Sequence, residues 1–507
     1  MIDVLFITPN SSEKAYQELA KVYSAIETPT WSLLLAESCR SKGFSCAILD
    51  SDAERLGLES SLNRIKELKP RLLLFVLYGQ NPNSGTTSMI GAIELSDYLK
   101  KEEINTPIAY VGSHVSALPK EVLKIESVDI VLLNEGTYAL HNLLRSDLNL
   151  DLPKIKGIGY KIKDGLNLNL VLNDPEIPVP QDRMDIDLPG YAWDLLPYKN
   201  KPLDLYRAHF WHAEFNYDKR TPFAAIYTSL GCQFACSFCM INIINRVDNN
   251  DNIDAGHSKG MRFWSVEWVS REFKKLADLG VETVRISDEM FFLNRKYYRP
   301  ILEEIVNNDY RFNMWAYSRI DTVRKDALEL FKKAGVNWLA LGVEAGNQVV
   351  RQEVSKGSFK EVNIRDICKV ISDHDVNIIS NYIFGFPEDD ENTMQETLDL
   401  ALELNTETAN MYPCQALPGS PLYTMAKLQN IELPQKFTEF GFLTYDSKPM
   451  GTKFLSSKEV LDFRDKAWTT YFTNPKYLDL VKSRFGEEQM NNVIEMAKVP
   501  LKRKLLS

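Results

Sequence analysis

Two series of short apolar segments, each alternating with amphipathic helical segments, constrain the fold of this chain more than any other feature. The helical segment 88–101 illustrates the pattern, because Met89, Ala92, Leu95 and Leu99 share one helical face. Strands that alternate with helices predict a parallel, doubly wound sheet. The five apolar segments of the first series are 3–8, 45–50, 71–77, 107–112 and 129–133.

The second series predicts a partial barrel. A helix predicted at 265–279 begins at Ser265 and stops at Gly280, which is typical of helices that lead into barrel strands. Six strand–helix units predict a partial (β/α)6 barrel. The six apolar segments are 223–229, 282–287, 312–317, 337–343, 377–384 and 408–413.

A stretch with neither periodicity separates the two series and predicts a linker. It contains a predicted hairpin, several prolines and an aromatic segment from Tyr191 to Tyr217. A chain of 507 residues is too long for one ordinary core, since domains cluster at about 100–200 residues. We therefore expect a doubly wound domain at 1–150, the linker at 151–221, the barrel at 222–430 and a mostly helical domain at 431–507.

Charge and cysteine usage exclude several classes of protein. The net charge of -10 argues against nucleic acid as a partner. The amino terminus reads directly as a strand and no run of about 18 apolar residues occurs, so we expect a cytoplasmic protein without a membrane span. Four cysteines stand alone and are expected to be reduced core residues: Cys39, Cys46, Cys368 and Cys414.

The other three cysteines lie within eight residues, directly after the first barrel strand. Cys232, Cys236 and Cys239 are spaced by four and three positions. Three thiolates can hold three irons of a 4Fe–4S cubane, which leaves the fourth iron open to another ligand. The alternative is a zinc site, but zinc needs a fourth ligand, and His212 and His257 both lie more than 15 residues from the nearest cysteine.

The pattern Cys-x3-Cys-x-aromatic-Cys, with Phe238 in the aromatic position, resembles the signature of the radical SAM superfamily. The resemblance implies that the open iron binds the amino and carboxylate groups of S-adenosylmethionine (SAM). One electron then releases methionine and a 5′-deoxyadenosyl radical. In such enzymes the cofactor carries the difficult chemistry and the protein orients it.

The ends of later barrel strands also resemble the SAM-binding elements of this superfamily. The acidic pair after strand two is implied to approach the SAM amino group, and the arginine after strand three to pair with its carboxylate, which suits a planar guanidinium. The segment Gly342-Val-Glu-Ala-Gly-Asn347 departs from the usual pattern at Ala345, where serine is common. The implied SAM contacts are Phe238, Asp288, Glu289, Arg319, Glu344, Phe384 and Gly385.

The first domain resembles the cobalamin-binding domain that precedes the barrel in one large subgroup of the superfamily. The segments 28–35, 111–119 and 134–136 carry the resemblance, although the Asp-x-His-x-x-Gly sequence that supplies a cobalt ligand elsewhere is absent. A flavodoxin-like domain that has lost cobalamin is the alternative. The implied cobalamin contacts are Asn10, Gln80, Asn83, Ser84, Gly112, Ser113, His114, Glu135 and Gly136.

Together the resemblances imply a cobalamin-dependent radical SAM enzyme, and most directly a C-methyltransferase acting on a small biosynthetic intermediate. They also imply a reducing electron donor such as flavodoxin or ferredoxin. A radical SAM cyclase, dehydratase or rearrangement enzyme uses the same two-domain layout, so it stays open. A non-catalytic cobalamin or SAM sensor is an alternative of another class. Methylthiolation is disfavoured because the chain has no second group of cysteines.

Two polar and aromatic groups near the ends of the barrel are candidates for substrate contact. His209, Trp211 and His212 precede the first barrel strand, and Tyr412 and Gln415 follow the sixth. The alternative for each is packing at a domain junction.

Overall fold

The first series of apolar segments forms five parallel strands, as predicted. The structure is a computed structural model that describes residues 2–148, 151–164, 167–212, 222–250, 253–355, 359 and 362–507. The strands pair in the order β2-β1-β3-β4-β5. Their bounds are β1 Ile2–Thr8, β2 Cys46–Asp50, β3 Pro70–Leu77, β4 Ile108–Gly112 and β5 Ile130–Leu132.

The predicted hairpin is present, and it extends the amino-terminal sheet. Its strands are β6 Ile158–Asp164 and β7 Asn167–Leu172, and β6 pairs antiparallel with β5. The helices before the barrel are α1 Ser12–Tyr16, α2 Leu19–Val22, α3 Thr30–Arg40, α4 Leu58–Leu68, α5 Gly85–Lys101, α6 Ser113–Ala117, α7 Pro119–Leu123, α8 Thr137–Arg145 and α9 Met184–Asp187.

Strand β1 is buried on both faces, as a central strand of a doubly wound sheet must be. Leu5 and Ile7 contribute to a core that includes residues of α4 and α5. Val4 and Phe6 belong to a second core that continues through the linker into the barrel. The two domains therefore share one continuous apolar interior.

The second series forms a six-stranded parallel half-barrel, as predicted, in the order β8-β11-β12-β13-β14-β15. The segment predicted as one strand at 223–229 is divided, because β9 leaves the barrel and pairs antiparallel with β10. The bounds are β8 Phe223–Ile226, β9 Ser229–Cys232, β10 Gly260–Phe263, β11 Thr283–Ile286, β12 Asn313–Arg319, β13 Val336–Glu344, β14 Asn377–Phe384 and β15 Thr408–Pro413.

The helices that follow the barrel strands have the predicted amphipathic pattern. The helix predicted at 265–279 is capped by Ser265, whose Oγ accepts the N–H of Trp268 at 3.1 Å. Together with the carboxyl-terminal helices they are α10 Val266–Asp278, α11 Arg295–Asn307, α12 Leu328–Lys333, α13 Gln348–Val354, α14 Ile364–Asp373, α15 Glu391–Leu404, α16 Pro421–Leu428, α17 Ser457–Phe472, α18 Pro475–Phe485 and α19 Glu487–Lys498.

The part of the chain that the structure describes has no helix that is both long and apolar enough to span a membrane. Its four single cysteines are unpaired thiols, of which Cys39, Cys368 and Cys414 are buried, as expected for core residues.

Candidate active site

The three clustered cysteines lie on one wall of a cavity of about 500 Å³. The β9–β10 ribbon carries Cys232 to the start of a loop, and Cys236 and Cys239 follow on that loop. Gly231 has a φ of +84°, and a Cβ at this position would overlap the carbonyl oxygen of Gly260. Only glycine suits this conformation and this close approach, so the ribbon depends on it.

Polar groups from two domains contact the cysteine loop. The backbone N–H of Phe234 lies 3.5 Å from Cys232 Sγ, and Asn83 Nδ2 lies 3.6 Å from Cys239 Sγ. Asn83 also accepts the backbone N–H of Met240 at 2.9 Å. Asn83 therefore ties the amino-terminal domain directly to the loop that carries the cysteines.

Burial raises the pKa of the cysteine thiols, to about 12 for Cys232 and about 11 for Cys236. Cationic irons therefore have to supply the driving force for thiolate formation. Among the described residues no group of three His, Cys, Asp or Glu side chains is placed to hold a single metal ion, as zinc would require. A cubane instead takes three thiolates on three separate irons, which fits this loop.

Two carboxylates face the cavity without a side-chain hydrogen bond to any described residue. Glu289 follows β11, and Glu344 ends β13 with a φ of +68°. Burial raises the pKa of Glu289 to about 8 and that of Glu344 to about 7. Two half-buried carboxylates beside the cysteines complement the amino group and the sulfonium cation of SAM.

The structure corrects the expectation for Asp288, which does not line the cavity. Its carboxylate accepts the backbone N–H of Thr228 at 2.6 Å and the hydroxyls of Thr228 at 2.7 Å and Ser229 at 2.5 Å. These bonds hold the connection between β8 and β9. Asp288 is thus a positioning residue for the cysteine ribbon, and Glu289 is the acid that faces the cavity.

Arg319, for which the resemblance implies a contact with the SAM carboxylate, lines the cavity. Its Nε and Nη2 donate to the two carboxylate oxygens of Asp321 at 2.9 and 2.6 Å. Its guanidinium lies 3.9 Å from the centroid of the Phe234 ring. These contacts hold the guanidinium rigidly next to the cysteine loop, where it can receive a carboxylate.

Of the three other residues predicted to contact SAM, one lines the cavity and two do not. Phe238 lines the cavity, and its ring packs against Phe386. Phe384 and Gly385 do not line it, which corrects that expectation. Phe384 packs against Phe463 in the core, and a Cβ on Gly385 would overlap Val460 of α17.

A smaller cleft of about 120 Å³ adjoins the cavity at the carboxyl ends of β1 and β3. These neighbouring strands are where the order of the sheet reverses, which is where doubly wound folds bind ligands. The lining is rich in hydroxyl and small residues, including Thr8, Ser12, Gly79 and Thr87. Such a cleft fits a ligand bound through many hydrogen bonds.

Comparisons with known proteins agree with this geometry. The family model described as the Radical SAM superfamily matches residues 226–401, and the model described as the B12 binding domain matches residues 19–144. The chain therefore combines a radical SAM domain with a B12 binding domain. Radical SAM enzymes use a 4Fe–4S cluster and SAM, and the B12 binding domain makes cobalamin the third cofactor.

Curated relatives of this radical SAM enzyme span most of its length. An uncharacterized methyltransferase of Pyrococcus horikoshii is 24% identical over 434 residues, which cover 85% of each chain. The anaerobic magnesium-protoporphyrin IX monomethyl ester cyclase of Rubrivivax gelatinosus is 24% identical over 497 residues, or 94% of this chain and 78% of the cyclase.

A solved structure has the same fold. TsrM from Kitasatospora setae, a radical S-adenosylmethionine methyltransferase with cobalamin and a 4Fe–4S cluster bound, superposes with a TM-score of 0.66 at 15% identity. The alignment covers 97% of this chain and 99% of TsrM. The radical SAM enzyme therefore has the two-domain fold expected from its sequence.

Three of the nine implied cobalamin contacts face the cavity of this radical SAM enzyme: Gln80, Asn83 and Ser84. The others line neither the cavity nor the cleft, and their contact with cobalamin stays a prediction: Asn10, Gly112, Ser113, His114, Glu135 and Gly136.

Five of these six residues take part in packing around the first sheet. Ser113 donates to the carbonyl of Pro82 at 2.5 Å, and His114 bonds Thr86 at 3.1 Å. Burial lowers the pKa of His114 to about 3, so the ring is neutral.

Glu135, Gly112 and Gly136 stabilise the local structure around the first sheet. Glu135 forms a buried ion pair of 2.7 Å with Arg262. Gly136 has a φ of +76°, and a Cβ on Gly112 or Gly136 would overlap Leu77 or Val111, respectively.

Four of the five substrate candidates line the cavity: His209, Trp211, Tyr412 and Gln415. His209 and Trp211 stack with ring centroids 5.0 Å apart. His212 does not reach the cavity and corrects that expectation. It lines a second cavity of about 670 Å³ formed by the amino-terminal ends of the barrel strands, a face associated with stability in such barrels.

The structure adds a polar cluster that the sequence did not indicate. Buried Arg285 of β11 forms an ion pair with Glu27 and donates to the hydroxyl of Tyr317 at 3.1 Å. His209 Nε2 lies 3.1 Å from the same Glu27. Although burial opposes it, Arg285 and His209 hold the pKa of Glu27 below its ordinary value. Glu27 and Arg285 are 258 residues apart, so no local pattern pairs them.

Proposed function

We propose that this cobalamin-dependent radical SAM enzyme is a C-methyltransferase that acts on an unactivated carbon of a small biosynthetic intermediate. The proposal includes the cytoplasmic location expected from the sequence. One substrate C–H group, two SAM molecules and two electrons would yield a C–CH3 group, S-adenosylhomocysteine, methionine and 5′-deoxyadenosine. A reduced flavodoxin or ferredoxin would supply the electrons.

The main support for this proposed function is the contact of Asn83 with the cysteine loop. It places residues of the B12 binding domain beside the cysteines in the wall of one cavity, and the cleft of that domain adjoins this cavity. When bound, the cluster with SAM supplies hydrogen-atom abstraction, and cobalamin supplies a methyl carrier. A substrate between them could meet both, and the methyltransferase relative matched over 85% of this chain agrees with such a use.

The chain's own residues have distinct parts in this proposal. Cys232, Cys236 and Cys239 would hold the cluster. Glu289 and Glu344 would accept hydrogen bonds from the SAM amino group and balance its sulfonium charge, and Arg319 would bind its carboxylate. The aromatic side chains around the cavity would exclude water from the reacting carbon.

A cyclase is the second candidate, because the magnesium-protoporphyrin ester cyclase of R. gelatinosus matches 94% of this chain. The two reactions differ in how SAM is consumed. Methyl transfer releases S-adenosylhomocysteine from one SAM and 5′-deoxyadenosine from the other, whereas ring formation needs only the second of these products.

The test is anaerobic reconstitution with iron, sulfide and hydroxocobalamin, followed by metal analysis and incubation with SAM carrying a deuterated methyl group. The proposal expects about four irons and one cobalt per chain, S-adenosylhomocysteine in the presence of reductant, and a deuterated methyl group in an acceptor from a small-molecule extract. The matched control is Cys239→Ala, which should lose 5′-deoxyadenosine. Cobalt-containing enzyme that forms 5′-deoxyadenosine but never S-adenosylhomocysteine would contradict methyl transfer.

A further inference from the structure

Helix α17 of the carboxyl-terminal region brings Arg464 into the wall of the cavity. The side chain is only 4% exposed, and two of its nitrogens are already bonded. Nε donates to the carbonyl of Met411 at 2.7 Å, and Nη1 donates to Asp465 Oδ1 at 2.7 Å. Nη2 has no hydrogen-bond partner among the described residues. Its two N–H donors are therefore available to a ligand in the cavity.

The charge of Arg464 is only partly balanced, because Asp465 is paired with both Arg464 and Arg503. Arg503 Nε and Nη2 bond the two oxygens of Asp465 at 2.8 and 2.9 Å. Arg503 is itself 5% exposed. One carboxylate between two buried guanidinium groups leaves an excess positive charge, which costs free energy in a protein interior unless an anion neutralises it.

The charges of the other two arginines that line the cavity are each balanced by a separate carboxylate. Arg285 is paired with Glu27, and Arg319 is paired with Asp321. Among the described residues of the lining, the carboxylates without such a pair are Glu289 and Glu344, and the proposed function uses both for SAM. Within the described lining, the excess positive charge therefore lies at Arg464.

Aromatic side chains surround this position. Tyr412, Phe442, Trp468 and Phe472 all line the same cavity, and the rings of Tyr412 and Phe442 lie 5.0 Å apart. Aromatic walls bind flat, apolar bodies through large contact areas. A ring-shaped molecule with one acidic group matches this combination of surfaces.

We propose that Arg464 binds a carboxylate of the substrate, and that the substrate is an apolar, ring-containing carboxylic acid. The guanidinium would donate from Nη2 to a carboxylate oxygen while its other nitrogens keep it fixed on β15 and Asp465. This assignment rests on the proposed function only for the use of the cavity as a substrate site. The binding itself requires no turnover.

The test uses enzyme loaded with cluster, hydroxocobalamin and SAM, without reductant, and measures binding of 2-naphthoate and of its neutral isostere 2-naphthamide by equilibrium dialysis. We expect the wild type to prefer the acid by about tenfold or more, as for a hydrogen bond to a charged partner. Arg464→Met should lose this preference while it binds 2-naphthamide nearly as before, and Arg464→Lys should keep part of it.

Lys466→Met is the matched control, because it removes a positive charge from the exposed face of the same helix. It should leave the preference intact. SAM binding measured on each variant separates the two possible carboxylates, since a loss of SAM affinity in Arg464→Met would show that Arg464 serves SAM instead. Equal binding of acid and amide to the wild type, or an unchanged preference in Arg464→Met, would also overturn the proposal. An acid preference without methylated product would leave this assignment standing and remove only the methyl transfer.

Discussion

Asn83 makes two contacts with the cysteine loop from a different domain. Its amide oxygen accepts the Met240 N–H and its amide nitrogen lies 3.6 Å from Cys239 Sγ. Hydrogen bonds to the sulfurs of an iron–sulfur cluster stabilise the reduced form, because they offset its added negative charge. We therefore expect Asn83 to influence the reduction potential of the cluster.

We predict that Asn83→Leu shifts the reduction potential of the reconstituted cluster to a more negative value. Redox titration followed by electron paramagnetic resonance measures the shift without turnover. Asn142→Leu is the control, because Asn142 is exposed on α8 and far along the chain from the loop. An unchanged potential in Asn83→Leu would mean that the bond to sulfur has no electronic effect.

The two unpaired carboxylates predict how SAM binding depends on pH. Burial raises the pKa of Glu344 to about 7 and that of Glu289 to about 8, so both are partly protonated at neutral pH. Only the carboxylate forms attract the sulfonium cation, so we expect SAM affinity to rise between about pH 6 and about pH 9. Isothermal titration at several pH values measures this.

Glu344→Gln should lower SAM affinity by about tenfold and make the pH dependence shallower, because one of the two titrating groups is gone. Glu282→Gln, at an exposed position directly before β11, should change neither. A curve that is flat in the wild type would contradict the assignment of both acids.

Among the secondary-structure elements, the β9–β10 ribbon most directly determines whether a cluster can form. It leaves the barrel after β8 and carries the first cysteine, and Asp288 holds its start through three hydrogen bonds. Its geometry depends on Gly231, whose backbone is in the left-handed region and packs against the carbonyl of Gly260.

Gly231→Ala should destabilise the fold by about 1–3 kcal/mol, because alanine is strained at this φ and its Cβ would displace the paired strand. It should also lower the iron content after reconstitution. Gly260→Ala is the matched control on the facing strand, where a Cβ would meet no atom within 4 Å. Denaturant unfolding and iron analysis compare the two, and equal behaviour would contradict this account of the ribbon.

Across the whole molecule, three of the parts of the chain that line the cavity meet around one polar cluster. Glu27 precedes α3 in the amino-terminal domain, Arg285 lies in the barrel, and His209 belongs to the segment between them. The ion pair is buried, so removing one partner leaves the other charge without compensation.

We expect Arg285→Met to lower the free energy of unfolding by about 3 kcal/mol or more. Combining it with Glu27→Gln should restore part of the loss. Arg295→Met is the comparison, because its partner Asp326 is exposed and the pair contributes little. Urea unfolding of the single and double variants measures the coupling, and a loss equal to that of Arg295→Met would contradict a buried interdomain pair.

The sequence alone determined the features whose physical basis is local. The spacing of Cys232, Cys236 and Cys239 and the apolar periodicity of the strands and helices depend on neighbouring residues, so they predicted the cysteine loop, the sheet and the half-barrel. The same periodicity put Asp288, Glu289, Arg319 and Glu344 at strand ends, which meet at one edge of the fold. Their assignment to SAM came from the resemblance to the radical SAM superfamily.

The tertiary structure alone decided which of these strand-end residues face the cavity. Asp288 and Glu289 are adjacent acids, and only the hydrogen bonds from Thr228 and Ser229, about 60 residues earlier in the chain, turn Asp288 away. The pairing of Glu27 with Arg285 and the approach of Arg464 to the cavity depend on contacts between distant segments. Burial and charge pairing at such contacts arise only when the whole chain is folded, so no sequence pattern carried them.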